Sequence, residues 1–206
     1  MSDGFPEGFF TRDDNGPDRA FYAPVRLVNH IDDGAIAAVG ALYEELGLHA
    51  DVLDLMGSWV SHFRVAPSRL VVLGMNAYEL THNPMTAGGV VHDLNEQPRL
   101  PFRDESFDAV VCCVSVDYLV RPIEVFRAVH EVLRSGGPFV CTFSNRCFPT
   151  KAIRGWLLTD DETHRAIVAE YFRRAGGWHD LRSEIRRERG PGRDPLYAVW
   201  ATRDRD

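Results

Sequence analysis

Residues 100–137 read LPFRDESFDAVVCCVSVDYLVRPIEVFRAVHEVLRSGG. After an acidic turn, the apolar run FDAVVCCV (107–114) predicts a strand buried on both faces. From about Pro122 to Arg134 the apolar residues recur at helical spacing, with the proline at the position where a helix tolerates one, and Gly136 and Gly137 follow as a stop. PFVCTFS (138–144) then begins a second strand. A strand, a helix and a strand in close succession require a crossover and hence parallel pairing.

The same alternation extends outward. On the N-terminal side lie VLDL (52–55), LVVLG (70–74), a short helix from about Ala77, and GVVHD (89–93). Before them, Asp32 is placed to cap a helix bearing Ala35, Ile36, Val39, Leu42, Tyr43 and Leu46 on one face, and Gly47 is placed to end it. On the C-terminal side, Thr159 and Glu162 are spaced as a capping box for a helix to about Arg174. Strands at about 178–187 and 195–202, joined through GPGRD, pair antiparallel. Residues 1–206 form one domain, with 1–50 a flexible segment followed by a covering helix and 51–206 the core; residues 1–20, rich in Gly, Asp and Pro, lack periodicity.

Composition limits the function. A formal charge of -7 argues against a nucleic-acid partner, which calls for a clustered basic surface. The arginines at 182, 186, 187, 189 and 193 alternate with Glu184, Glu188 and Asp194, as on a solvated strand face. Cys112, Cys113, Cys141 and Cys147 form no C-x-x-C pair and read as reduced core thiols. MSDGFPEGFF has neither a basic head nor a long apolar stretch, and no run approaches the roughly 20 residues of a spanning helix, so no membrane partner is expected and a soluble, cytoplasmic location is. Oligomeric state is not encoded in any of these features.

In an open parallel sheet, ligands bind beyond the carboxyl ends of the strands. Those ends read Asp54 with Met56, Gly57 and Ser58; Gly74, Met75 and Asn76; Asp93, Leu94 and Asn95; Ser115, Val116, Asp117 and Tyr118; and Ser144, Asn145 and Arg146. Segment 100–137 resembles, nearly position by position, the "LPF, acidic turn, SFD, apolar strand, helix, VL, GG" segment of class I S-adenosylmethionine-dependent methyltransferases that act on small molecules. The likeness extends more weakly from about Asp51 to Thr202. It implies an α/β, Rossmann-like three-layer sandwich with a seven-stranded, mostly parallel sheet ending in an antiparallel hairpin.

The resemblance further implies that S-adenosyl-L-methionine is the cofactor, held by Asp54, Met56, Gly57, Ser58, Met75, Asn76, Asp93, Leu94 and Ser115. Asn76 stands for the ribose-binding acid, and Asp93 with Leu94 stands at the adenine position. The family's glycines are replaced by Met56, Ser58 and Val60, so the loop either moves outward or holds other residues in costly conformations. Asn76 has the alternative role of capping the next helix. Candidate catalytic residues are His30 as a base, Tyr118 beside a sulfonium, and Asn145. Tyr22, Arg26 and Arg146 are candidate substrate-binding residues, with FYAPVRLVNHID (21–32) as a lid; His62, Trp59 and Lys151 are weaker candidates. A methyltransferase acting on a small molecule is the leading reading. Alternatives are an inactive scaffold of the same fold, an enzyme using the sulfonium for another reaction, and a nicotinamide-dependent reductase, which the absence of G-x-G-x-x-G disfavours.

Overall fold

The computed structural model describes residues 4–205. Its elements are α1 (Asp18–Tyr22), α2 (Asp33–Glu45), β1 (Asp51–Leu55), β2 (Arg69–Gly74), α3 (Ala77–Thr81), β3 (Gly88–Val91), β4 (Ala109–Cys113), α4 (Pro122–Val132), β5 (Pro138–Phe143), α5 (Arg154–Leu157), α6 (Asp161–Ala175), β6 (Trp178–Arg187) and β7 (Leu196–Arg203). The sheet has seven strands in the order β3-β2-β1-β4-β5-β7-β6. All neighbours pair in parallel up to β5; β7 runs antiparallel to both β5 and β6, as the GPGRD turn predicts. The chain leaves β1 toward one edge and continues from β4 toward the other, so the crevice of the fold opens between the ends of β1 and β4. No described helix is long and apolar enough to cross a membrane.

One face of the sheet is covered by α4 and α6, whose Phe126, Val129, Val168 and Phe172 pack against Val110, Phe139 and Cys141. The other face depends on α2. No helix forms in the β1–β2 connection, residues 56–68. Ala35, Val39, Leu42 and Tyr43 of α2 cover Val52, Val72 and Val111 in its place. The helix begins where the sequence places it: the Asp32 carboxylate accepts from the Ala35 N–H at 2.8 Å. It ends before Gly47, at φ 67°. Within it, Gly40 lies against the connection; a Cβ there would come within 2.9 Å of the His62 carbonyl oxygen. Arg187 of β6 donates to both Asp32 carboxylate oxygens at 2.6 and 2.8 Å, and Arg186 pairs with Glu45 and Glu184. At least these strand arginines are thus committed to local ion pairs.

Two local expectations are corrected. The cap of α6 is Asp160, whose side chain accepts from the Thr163 N–H at 2.9 Å; Thr159 donates instead to the Gly155 and Trp156 carbonyls. The segment expected to be flexible is docked over its described residues. Phe5, Phe9 and Phe10 pack on one another and against Tyr171, with ring centroids 4.8–6.2 Å apart. Residues 1–3 of that segment lie outside the described residues. Gly155 admits the Phe9 ring, which would lie 2.3 Å from a Cβ at that position.

Lys151, a weak candidate for chemistry, anchors this segment. Its side chain is fully buried, and Nζ lies 3.0 Å from carboxylate oxygens of Asp14 and Asp18 and 2.9 Å from the Gly16 carbonyl. Asp18 also receives Arg12 at 2.9 Å and Asn95 at 2.8 Å. Removing a buried cation leaves its partners uncompensated, which costs about 3–5 kcal/mol. Lys151→Met is therefore expected to lower unfolding free energy by about that amount in urea titrations, and to speed tryptic cleavage after Arg12 and Arg19. Unchanged stability would reject the anchor.

Candidate active site

Beyond the carboxyl ends of β1, β2 and β4 lies a cavity of about 280 Å³. Five strand-end segments and the 18–30 strap line it. Its first wall is the loop after β1, which departs from glycine-rich design in a defined way. Met56 takes φ 57°, a left-handed conformation that costs a non-glycine residue about 1–2 kcal/mol. The Gly57 N–H donates to the Leu73 carbonyl at 2.9 Å, drawing the loop inward onto β2 rather than outward. Its carbonyl oxygen would stand 2.1 Å from a Cβ at residue 74, so only glycine fits there. Gly57 is itself confined: a Cβ would lie 2.7 Å from Val72 and 2.9 Å from the Asp54 carboxyl.

Hydrogen bonds hold this loop where a helix would otherwise do so. Ser61 donates from Oγ to Asp54, Asn83 donates from Nδ2 to Ser61 Oγ at 2.9 Å and to the Ser58 carbonyl at 3.0 Å, and Trp59 donates to the Val28 carbonyl of the strap at 3.1 Å. Ser115 closes the opposite side, donating to the Met56 and Cys113 carbonyls at 3.3 and 3.0 Å. The neighbouring Val114 is left-handed at φ 47°, a strained conformation for a β-branched residue. Burial pushes the Asp54 carboxyl up to about 7, against the Ser61 hydrogen bond.

Asp54, Met56, Gly57, Ser58, Met75, Asn76, Asp93, Leu94 and Ser115, the residues matched to cofactor binding, all line the cavity. Asp93 Oδ1 turns its own loop by accepting the Asn95 and Glu96 N–H groups at 2.9 and 3.2 Å. Asn76 takes the capping role. Its Oδ1 accepts from the Tyr78 and Glu79 N–H groups at 3.0 and 3.2 Å, and its Nδ2 donates to the Tyr22 and Ala23 carbonyls at 2.9 and 3.0 Å. Both ends of the amide are therefore committed within the protein. Residue 79 escapes the sequence reading because it sits a helical turn beyond the strand end. Glu79 is buried, lines the cavity, and accepts from the Arg26 N–H at 2.7 Å and from Ser58 Oγ.

Tyr22, Arg26 and His30 lie over the cavity, where the FYAPVRLVNHID segment is expected to form a lid. Arg26 is fixed by its own strap, donating to the Pro24 and Phe21 carbonyls, with its guanidinium 4.8 Å from the Phe21 ring centroid. His30 meets Phe148 edge-on at 5.3 Å. Its outer side is exposed, and burial of the remainder lowers its pKa below the usual imidazole value, as it does that of His62, another lining residue. Tyr118 is buried; its hydroxyl accepts the Phe148 N–H at 2.8 Å and thereby orders the 146–148 loop. Arg146 lines the cavity, held by Nε to Asp194 at 2.8 Å, with no hydrogen bond from its Nη groups among the described residues. Asn145 is exposed and outside the lining. Burial lifts the Cys147 thiol to about 11, so at neutral pH it is no thiolate nucleophile.

Behind Tyr118, Asp117 is 2% exposed and its Oδ2 has no partner among the described residues. Burial raises its carboxyl to about 8. Between the ordinary value of 3.8 and about 8, the unfolded chain loses this proton while the folded chain retains it, so the group lowers stability as pH rises through that window. Asp117→Asn removes the effect. The excess of its unfolding temperature over that of the wild type is expected to grow from pH 4 to pH 8 and level off above; a constant difference in calorimetry would contradict a protonated Asp117.

A family model described as "Methyltransferase domain" matches residues 71–141. No curated protein matches the chain. Among solved structures, the S-adenosylmethionine-dependent methyltransferase from Mesorhizobium loti is 19% identical, with 83% of this chain and 99% of that one covered and a TM-score of 0.57. The [4+2]-cyclase SpnF is 15% identical over 92% of both chains, with a TM-score of 0.63. A chain from the complex between the Haloferax volcanii Trm112 methyltransferase activator and the putative methyltransferase is 16% identical, over 84% of this chain and 95% of that one, at 0.56. Strand order and the reversed last hairpin agree with these likenesses: the chain has the fold of the S-adenosylmethionine-dependent methyltransferases it is similar to, and the methyltransferase-domain model matches it over residues 71–141.

Proposed function

We propose that the protein binds S-adenosylmethionine in this cavity and transfers its methyl group to a small-molecule acceptor. The observation that carries the reading is the enclosed cavity at the point where strand order reverses, lined by the strand-end residues matched to the cofactor and covered by the strap. The residues suit the ligand's chemistry. Met56, Met75, Leu94 and Val114 offer apolar surface to a purine, while Asp93, Glu79, Ser58 and Ser115 offer polar atoms. At about 280 Å³ the cavity is near the lower end of small-molecule sites, about 300–1,000 Å³, and the formal charge of -7 favours a small acceptor over a nucleic acid.

When bound, S-adenosylmethionine supplies an electrophilic methyl on a sulfonium. The chain's own residues position and shield. The strap excludes water, Tyr22 and Phe148 provide ring faces, and the free Nη groups of Arg146 orient an anionic substituent of the acceptor. A ring nitrogen of His30, neutral at pH 7, takes the acceptor's proton. Since its pKa lies below 6.5, activity is expected to fall only as pH drops below that value, and His30→Gln to lower kcat by about 100-fold or more and abolish the acid limb. Retention of the limb in that variant would remove His30 from the proton transfer.

A second reading keeps the cofactor and changes the reaction. It is favoured by the loop at Met56–Ser58, which is drawn onto β2, and by the likeness to a [4+2]-cyclase. Incubation with methyl-labelled S-adenosylmethionine and a metabolite extract, read by mass spectrometry, separates the two. Labelled product supports transfer; S-adenosylhomocysteine binding without product supports a non-methylating enzyme or scaffold. Bound ligand must also raise the unfolding temperature, and no shift at millimolar S-adenosylhomocysteine would reject both readings.

A further inference from the structure

Nucleoside sites commonly present a carboxylate to the ribose diol, because each carboxylate oxygen accepts a hydroxyl through a charge-assisted bond. The strand-end position cannot serve here: residue 74 is glycine and the Gly57 carbonyl occupies the space a side chain would need. Asn76, next along the chain, has its oxygen on the α3 cap and its nitrogen on two strap carbonyls. The carboxylate that remains on this wall is Glu79. It reaches back from the first turn of α3 to Ser58, which stands at one of the replaced glycine positions. Oε1 holds the Arg26 N–H and Oε2 the Ser58 hydroxyl, so the group is oriented in advance and each oxygen keeps a second acceptor site for a ligand.

We propose that Glu79 is the residue that reads the ribose hydroxyls of the bound nucleoside, from the first turn of α3 rather than from the strand end. The assignment rests on the function proposed above. It also accounts for Ser58, whose hydroxyl fixes the carboxylate at a point where glycine would offer no donor side chain.

The test compares S-adenosylhomocysteine with its 2′,3′-dideoxy analogue by titration calorimetry against wild type, Glu79→Ala and Glu79→Gln. The wild type is expected to prefer the ribose form by about 10- to 100-fold, and Glu79→Ala to bind the two ligands within about 3-fold of each other. Glu79→Gln, which keeps the shape and one acceptor, is expected to show a several-fold smaller preference than wild type, and decides the matter by that ratio if the alanine variant binds neither ligand. An undiminished preference in the variants, or none in the wild type, overturns the assignment of Glu79 while leaving cofactor binding intact. A wild type that binds neither ligand overturns the proposed function along with it.

Discussion

The contact between the Gly57 carbonyl and Gly74 governs the ligand-facing side of this molecule. A Cβ on residue 74 would sit 2.1 Å from that oxygen, so the inward position of the first loop and the lack of a strand-end side chain require each other. Once the loop leans on β2, it is held from the side rather than by a helix beginning at its end. Asp54, Ser61 and Asn83 supply that support with buried hydrogen bonds. The positive φ at Met56 adds a cost of about 1–2 kcal/mol, offset by bonds of about 1 kcal/mol each.

The missing crossover helix explains the importance of the N-terminal part of the chain. A parallel sheet must be covered on both faces, and α2 covers the face that the 56–68 connection leaves bare. Gly40 permits α2 to approach the His62 carbonyl, and the Arg187 pair with Asp32 fixes its start against β6. Preceding α2, the strap completes the cavity. Its polar attachments point inward: Asp18 to Lys151 and Asn95, Arg26 N–H to Glu79, and two strap carbonyls to Asn76. Cover and ligand wall therefore share residues, so changes in strap position bear directly on Glu79 and Asn76.

Electrostatics divides three of the buried acids into two kinds. Asp18 receives Arg12, Asn95 and Lys151, whose hydrogen bonds outweigh the burial that would raise its pKa, and it remains ionised as a structural hub. Asp54 and Asp117 lack a cation, and burial raises both to near or above neutrality. The first kind holds the strap down. The second lies at and behind the cavity, where a neutral carboxyl donates as well as accepts.

Much of the architecture is written locally. The strands, the parallel order implied by 100–137, the Asp32 cap, the final hairpin and the polar strand ends follow from side-chain periodicity, capping chemistry and turn residues, which act within a few positions of one another. The cap of α6 did not follow: the Thr159–Glu162 spacing suits a capping box, but the folded chain places the Asp160 carboxylate on the Thr163 N–H instead. Tertiary structure alone decided that the chain from Met56 to Ser68 forms no helix, that Asn76 faces strap carbonyls from residues 22 and 23, that Glu79 reaches Ser58, and that Lys151 is an anchor. Each depends on groups brought together from distant parts of the chain, by a packing distance or a hydrogen bond that no local pattern encodes. Sequence therefore determined the type of site and its place at the strand ends, while the close approach of Gly57 to Gly74 decided which side chains remained free to line it.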